Sequence, residues 1–516
     1  MRGPLTPRPY RTGTFGRVPL SLRREDVLFF STLYTRHMKL ISHGAAREVT
    51  GSCHELQIGD KRILLDCGLF QGRRKLAVEK NSSFAFDPPK DIHAVVLSHA
   101  HMDHVGRIPL LWKRGFRGAV HCTYASADLA AVMLADGGYI QEKDEEYFCK
   151  HFPKTMLVCD GPLYTQRDAR ACAKLFQGKN YESWFDVAPG VRAQFLDAGH
   201  ILGAAMVVLE VDENVARLEK KFQIPNSKFQ TNLKSQKNPK SKVQSPTIRI
   251  GFSGDLGRSA LPIIRDPAPM PAVDILICES TYGNRSHEDL ATAKHHLRDT
   301  VVATAKRGGK VLIPAFSLER TQEIVYDLHL LWDEKMIPPV PIFIDSPLAS
   351  RVTGIFLKHP ECYNRAMYDR FLARGHNPFQ FSLVKYTESV EESKALNGLP
   401  GPAIIMAGSG MCEAGRIRHH LRNGLEDPRN TVVAVGYMAE NTLGRRIIEP
   451  SIRSVRIFDE EYSKKAEVVV INAYSGHADK NDLDQFIAQV VRAGKEAGRP
   501  LRTLFLVHGE GEVMKI

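Results

Sequence analysis

The stretch His99-Ala100-His101-Met102-Asp103-His104 constrains this chain more than any other. Three imidazoles and one carboxylate fall within six positions, directly after the apolar run Ala94-Val95-Val96-Leu97-Ser98 and before a helix-like segment from Val105. Such a group cannot all point into a core, and surface histidines have no reason to alternate this way. At a strand end it can point into a cleft and hold metal. Imidazole and carboxylate are the ligands that catalytic zinc takes while keeping a position open for water.

A site with two metals needs about seven protein ligands by the count of two-metal hydrolases, so further donors are expected at other strand ends. The chain offers six. Asp66 closes Ile63-Leu64-Leu65, and His200 sits in Asp197-Ala198-Gly199-His200. Asp255 follows Gly251-Phe252-Ser253-Gly254, and Glu279 ends Ile275-Leu276-Ile277-Cys278. His477 lies in Tyr474-Ser475-Gly476-His477-Ala478-Asp479, and His508 ends Leu504-Phe505-Leu506-Val507. Each alone reads equally as a turn or cap residue. Six beside one H-x-H-x-D-H point to a shared site.

With 516 residues the chain is expected to form more than one domain. Apolar content of 43% and charged content of 25% suit a globular protein, and no apolar run reaches a membrane span. Nine cysteines without a C-x-x-C pair suit a reducing, cytoplasmic setting better than a disulfide framework. The net charge of +12 favours a polyanionic partner, nucleic acid first.

Residues 1–37 are Arg-rich and poorly periodic, and read as a basic tail, with Met38 an alternative start. From there to about residue 283, β-type runs alternate with turns: Cys53–Ile58, Lys61–Asp66, His93–Ser98, Ala193–Leu196, Met206–Val211 and Ile248–Ser253. Residues 213–247, rich in Lys, Gln, Asn, Ser and Pro, read as a flexible basic insertion. Beyond residue 283 the pattern predicts helices near 286–307 and 319–335 alternating with buried runs such as Lys310–Pro314, Val340–Asp345, Ala403–Ala407, Thr431–Gly436 and Glu467–Ile471. That alternation indicates an α/β unit with a mainly parallel sheet.

From Met38 onward, leaving out the insertion, the chain resembles the metallo-β-lactamase superfamily, and within it the β-CASP branch of nucleic-acid-processing hydrolases. The nearest resemblance is to bacterial and archaeal ribonucleases related to the cleavage and polyadenylation endonuclease. Asp66, the His99–His104 stretch, His200 and Asp255 match the four superfamily motifs in order. Glu279 in Glu-Ser-Thr-Tyr-Gly, His477 in Ser-Gly-His-Ala-Asp and His508 in Val-His-Gly-Glu match the branch motifs A, B and C.

The resemblance implies an αββα sandwich with an inserted α/β β-CASP domain. The sandwich would comprise 38–283 and 474–516, and the inserted domain 284–473. It implies two Zn²⁺ per chain: His99, His101 and His200 on one, Asp103, His104 and His508 on the other, and Asp255 bridging. Asp66 would orient a ligand or the nucleophile, with Asp103 and Asp66 counted beside His477 and Glu279 as catalytic. Two departures stand out. Asn441 occupies a position where the family commonly has Gly, and the sequence stops eight residues after His508, which would weaken packing behind that ligand.

Zinc ions about 3.5–4 Å apart would lower the pKa of water and clamp phosphoryl oxygens. His477, kept protonated by Glu279, would donate a proton to the leaving oxygen. Phosphates beyond the scissile one would meet Ser409 and Gly410 in Gly408-Ser409-Gly410-Met411, then Arg416, with Ser317 and Arg320 a second group. Both stretches read alternatively as helix-start chemistry. His419 and His420 read as surface or packing residues; His121, His151 and His287 carry no signal.

The function expected is a zinc-dependent ribonuclease, an endonuclease of RNA processing acting on single-stranded RNA, with no membrane partner and a homodimer left open. The rivals are a DNA-directed nuclease of the same branch, a small-molecule hydrolase of this fold, and a catalytically dead binding subunit. The long inserted domain argues against the second, and the complete ligand set against the third.

Overall fold

In the computed structural model, residues 27–28, 32–34, 38–72, 74–86, 89–151, 161–213, 247–436 and 438–515 are described. Two seven-stranded sheets face each other. One runs Val27–Leu28, Thr503–Val507, Ile275–Glu279, Thr247–Phe252, Ala205–Asp212, Val191–Asp197, Trp184–Ala188 across its width. The other runs Thr32–Tyr34, Met38–Gly44, Cys53–Ile58, Lys61–Leu65, Ala94–Val96, Ala119–Thr123, Phe176–Lys179.

Alternating residues hold them together. Leu56, Ile58, Ile63 and Leu65 of the second sheet share a buried cluster with Val207, Leu209, Val211, Ile250, Ile277 and Phe505 of the first. Residues of the opposite parity, such as Leu64, Val95, Val208 and Leu276, pack beneath helices instead. That is the αββα order, with period-2 alternation supplying both layers.

Thr503–Val507 lies parallel to both Ile275–Glu279 and Val27–Leu28. The distant end of the chain thus enters the middle of a sheet begun hundreds of residues earlier. Val27–Leu28 and Thr32–Tyr34, inside the segment read as a tail, extend one sheet each. Residues 214–246, most of the segment read as a basic insertion, lie outside the described residues.

Between strands Ile275–Glu279 and Thr503–Val507 in the sequence comes a second unit. Its six-stranded sheet is ordered Val384–Tyr386, Ile342–Ile344, Ala403–Ala407, Lys310–Pro314, Thr431–Val435, Glu467–Ile471, and every pairing is parallel. Val311 and Ile313 share a buried cluster with helices Leu290–Lys306 and Arg320–Asp333, while Leu312 and Ile405 share one with Ile417 and Leu421 on the other side. The helix expected over 286–307 spans Leu290–Lys306, because the Asp289 carboxylate caps it through the Thr292 N–H.

The seven other described cysteines are free and buried, but Cys149 is disulfide-bonded, against the expectation of thiols alone. Among the described residues no helix is long and apolar enough to cross a membrane.

Candidate metal centre

The site forms where strands of both sandwich sheets end. Asp66 follows Lys61–Leu65, His99 follows Ala94–Val96, Asp255 follows Thr247–Phe252, and His508 follows Thr503–Val507. Glu279 is the last residue of Ile275–Glu279. A strand running in parallel register delivers its next residue to the same edge as its neighbour's. Leaving the sheet there demands a sharp turn: Asp66 and His508 adopt φ of 61° and 51°. The Ala45 carbonyl accepts the backbone N–H of His508 at 2.7 Å.

Two groups of donor atoms result. Those of His99, His101, His200 and Asp255 lie within 4.8 Å of one another, as do those of Asp103, His104 and His508. Asp255 stands between them. Its Oδ2 is 3.5 Å from Nε2 of both His99 and His200, and its Oδ1 is 3.1 Å from Nε2 of His104 and 3.5 Å from Nδ1 of His508.

The donor set fits divalent cations. His200 Nδ1 is 3.0 Å from the Gly476 carbonyl, which can only accept, so Nδ1 carries the proton and Nε2 presents a lone pair to Asp255 and His101. Nε2 of His104 and Nε2 of His508 face each other at 3.2 Å. Asp255 Oδ1 is buried and accepts no hydrogen bond of sound geometry. Lone pairs converging without protons between them are what a cation satisfies. Burial drives the pKa values of His99 and His200 well below the ordinary imidazole range and that of His101 to about 4, so all three are in the neutral, ligating form at pH 7.

Asp66 is fully buried behind this cluster. It accepts from the Ser98 amide at 2.8 Å, the Ser98 hydroxyl at 2.9 Å and the Ser52 hydroxyl at 3.0 Å, and lies 2.7 Å from Nδ1 of His104. With Nδ1–H directed at that carboxylate, Nε2 of His104 is the nitrogen turned to Asp255 and His508. Burial disfavours the charged ring, but Asp255 and Asp66 outweigh it and raise the His104 pKa well above the ordinary imidazole range, a charge that a bound cation would replace. Ser52 and Ser98 were not singled out from the sequence; a small hydroxyl beside a ligand carries no pattern of its own.

His477 occupies the open side of the cluster, 21% of its side chain exposed, with Nδ1 3.2 Å from Glu279 Oε1 and 3.9 Å from Asp255 Oδ2. Burial disfavours its charged form, but the two carboxylates outweigh burial and raise its pKa to about 9. Glu279 is fixed in turn: its Oε1 accepts from the Leu256 amide at 2.6 Å and its Oε2 from the Thr281 amide at 3.2 Å. Thr281 Oγ1 also lies 3.0 Å from Nδ1 of His508.

His287, which had no sequence signal, places Nε2 3.1 Å from the His477 carbonyl and donates its backbone N–H to Asp479. It braces the His477 loop from a distant segment, which is why periodicity could not reveal it.

The expected phosphate readers separate into two kinds. Ser317 and Ser409–Gly410 lie at the carboxyl edge of the six-stranded sheet, with Ser317 Oγ 3.0 Å from Ser346 Oγ and 3.5 Å from where a Cβ on Gly408 would stand. Arg320 and Arg416, both part-buried, are held by carboxylates of the unit itself. Arg320 is ion-paired with the buried Glu323. Arg416 donates to Asp345 at 2.7 Å and to the Glu388 carbonyl at 2.7 Å. Asp345 is a buried hub that also takes bonds from Thr387, Ser393 and His420, so His420 is an interior residue. A buried carboxylate needs such donors more than a solvated phosphate does. Asn441 adopts φ 65°, a left-handed conformation that Asn tolerates better than most side chains, which accounts for its standing in place of Gly.

The close approach at Gly68 supports the first motif. A Cβ there would lie 1.5 Å from the Asp103 carbonyl oxygen and 2.6 Å from the His104 nitrogen. Gly68→Ala is expected to displace both residues, costing about 3 kcal/mol by overpacking. Thermal unfolding should show this, together with a lower metal content than wild type.

Residues 46–130 match the metallo-beta-lactamase superfamily, 321–447 the Beta-Casp domain, and 461–516 the Zn-dependent metallo-hydrolase RNA specificity domain. The chain is 35% identical to "Ribonuclease TTHA0252" of Thermus thermophilus over 92% of this chain and 94% of that protein. It belongs to the β-CASP branch of the metallo-β-lactamase superfamily. Two archaeal proteins named "Transcription termination factor FttA" are also similar. That of Methanosarcina mazei is 30% identical over 92% of this chain, and that of Methanocaldococcus jannaschii 29% over 90%. This β-CASP hydrolase spans about two thirds of their length, 67% and 66%.

Proposed function

We propose that this protein is a zinc-dependent ribonuclease that hydrolyses phosphodiester bonds of single-stranded RNA endonucleolytically at a site holding two metal ions. The observation that carries the reading is Asp255, one carboxylate oxygen turned to each of two donor groups, with His477 and Glu279 beside it. His99, His101 and His200 would hold one ion, Asp103, His104 and His508 the other, and Asp255 both. Bound there, the ions would supply an activated water at neutral pH and neutralise charge on the phosphoryl group.

The chain's own residues do the rest. Asp66 and the Gly476 carbonyl fix the tautomers of His104 and His200, so that their lone pairs face inward. Glu279 and Asp255 keep the His477 imidazole protonated, and His477 hands that proton to the departing ribose oxygen as the P–O bond breaks. Glu279 then stabilises the position to which a proton returns from solvent. Ser317, Ser409 and Gly410 would receive a neighbouring phosphate, in the place where parallel sheets bind anions. Arg416 and Arg320 organise that edge by bonding Asp345 and Glu323.

RNA is favoured over DNA by the match of 461–516 to an RNA specificity domain and by the name of the Thermus relative. The test is cleavage of end-labelled RNA and matched DNA with and without chelator. Internal cuts in RNA that chelation abolishes are the expected result. Shortening only from the 5′ end would replace the endonucleolytic reading, and equal cutting of DNA the ribonuclease one.

A further inference from the structure

Helix Arg320–Asp333 of the β-CASP unit meets the metal-bearing loops through buried acids. Its entry is unusual. Glu319 adopts φ 65° and ψ −59°, and the Arg320 amide donates to the Leu318 carbonyl at 2.9 Å, a γ-turn of the sterically costly hand. The carboxyl this turn projects is almost wholly buried. Its Oε2 accepts the Leu202 N–H at 2.9 Å, two residues beyond His200, while Oε1 is buried without a hydrogen-bond partner.

The same helix reaches the other loops of the centre. Asp327 accepts the Tyr474 hydroxyl at 2.6 Å, three residues before His477. The segment that carries Tyr474 is also tied to the Asp255 loop directly: Arg258, three residues after Asp255, donates to the Ala473 carbonyl at 2.7 Å. Burial holds the carboxyls of Glu319 and Glu323 above the ordinary range, and burial likewise raises Asp327 to about 6. For folding alone this arrangement is poor: a strained backbone, a half-satisfied acid, and more acids beside it. Strain of that kind persists where the surrounding structure uses it.

We infer that Glu319 is a positioning residue: it takes the Leu202 amide across the boundary between the two units and sets the His200 loop, so that seating the β-CASP unit and presenting the His200 ring are one event. This rests on His200 acting as a ligand in the ribonuclease reading. Glu319 touches neither substrate nor metal; it acts through the backbone at 200–202.

Three full-length variants test it. Glu319→Gln keeps an acceptor for the Leu202 amide, Glu319→Ala removes it, and Glu319→Gly removes it while relieving the turn. The readouts are amide hydrogen exchange over 198–204, thermal midpoint, and kcat and KM on RNA. Glu319→Ala and Glu319→Gly should exchange about tenfold faster at 198–204, as for a lost hydrogen bond opening locally. Their kcat should fall by roughly 10²-fold with KM little changed, the cost of a small misplacement. Glu319→Gly should melt near the wild-type temperature, and Glu319→Gln should restore both exchange and kcat.

Wild-type exchange in Glu319→Gly, or a Glu319→Gln as impaired as Glu319→Ala, overturns the inference. Should the wild-type protein fail to cleave RNA, the ribonuclease reading falls, but the exchange comparison still decides the role of Glu319.

Discussion

Asp255→Asn is expected to reduce RNA cleavage by roughly 10³-fold or more, since Lewis-acid stabilisation by the metals is worth several kcal/mol and each 1.36 kcal/mol is a factor of ten. The carboxylate turns one oxygen to each donor group, 3.1–3.5 Å from four ring nitrogens. An amide offers one acceptor and, in place of the second, an N–H pair aimed at bare ring nitrogens. Either orientation spoils one of the groups. Elemental analysis should therefore find metal content reduced from two ions per chain towards one or none, in step with the loss of kcat. An Asp255→Asn protein that keeps two metals and cleaves within tenfold of wild type would remove the bridging role, and with it the two-metal reading.

His477→Ala is expected to lower kcat by about 10²–10⁴-fold, the usual worth of a general acid, while metal content stays at the wild-type level. The distinction is needed because His477, Glu279 and Asp255 are close enough to be read as a third metal group. Their arrangement argues otherwise: Glu279, which would have to ligate beside His477, already accepts the Leu256 and Thr281 amides through its two oxygens, and His477 stands on the open side of the cluster. Loss of metal in His477→Ala would reverse that conclusion.

Glu279→Gln supplies the matching pH test. The Glu279 carboxylate raises the pKa of His477, and a general acid must be protonated. Its neutralisation should therefore move the alkaline limb of the kcat profile to lower pH, leaving the acid limb in place. Metal ions in the neighbouring groups act in the same direction, so the wild-type limb should itself lie below about 9. An unmoved limb would mean that another group titrates there.

The polar residues at strand ends were readable because two patterns coincide in them. A short strand-like run ends, and a metal-type side chain follows at or near a turn; Asp66, His200, Asp255, Glu279 and His508 all have this form. Parallel pairing then carries Asp66, Asp255, Glu279 and His508 to one edge, and the antiparallel hairpin of Val191–Asp197 and Ala205–Asp212 brings His200 there, so a local pattern becomes a shared site. Arg320 and Arg416 show the limit of such local patterns, because the sequence does not reveal their intramolecular partners. A guanidinium beside a Ser- or Gly-rich turn looks alike whether it faces phosphate or a buried carboxylate, and the carboxylates concerned, Glu323 and Asp345, become partners only through packing. Ser98, Thr281 and His287 escaped notice because their partners, the Asp66 carboxylate, a His508 ring nitrogen and the His477 carbonyl, are supplied by other segments.

Ligand chemistry, strand periodicity and the change to helix–strand alternation near residue 283 are short-range properties, and the linear chain carries them in full. Which oxygen of Asp255 faces which imidazole, why Glu319 accepts a strained backbone, and how Thr503–Val507 comes to lie beside Ile275–Glu279 are not encoded in any window of residues. They arise when two sheets and an inserted unit are packed together, because burial and hydrogen-bond satisfaction are set by whatever the rest of the chain brings alongside.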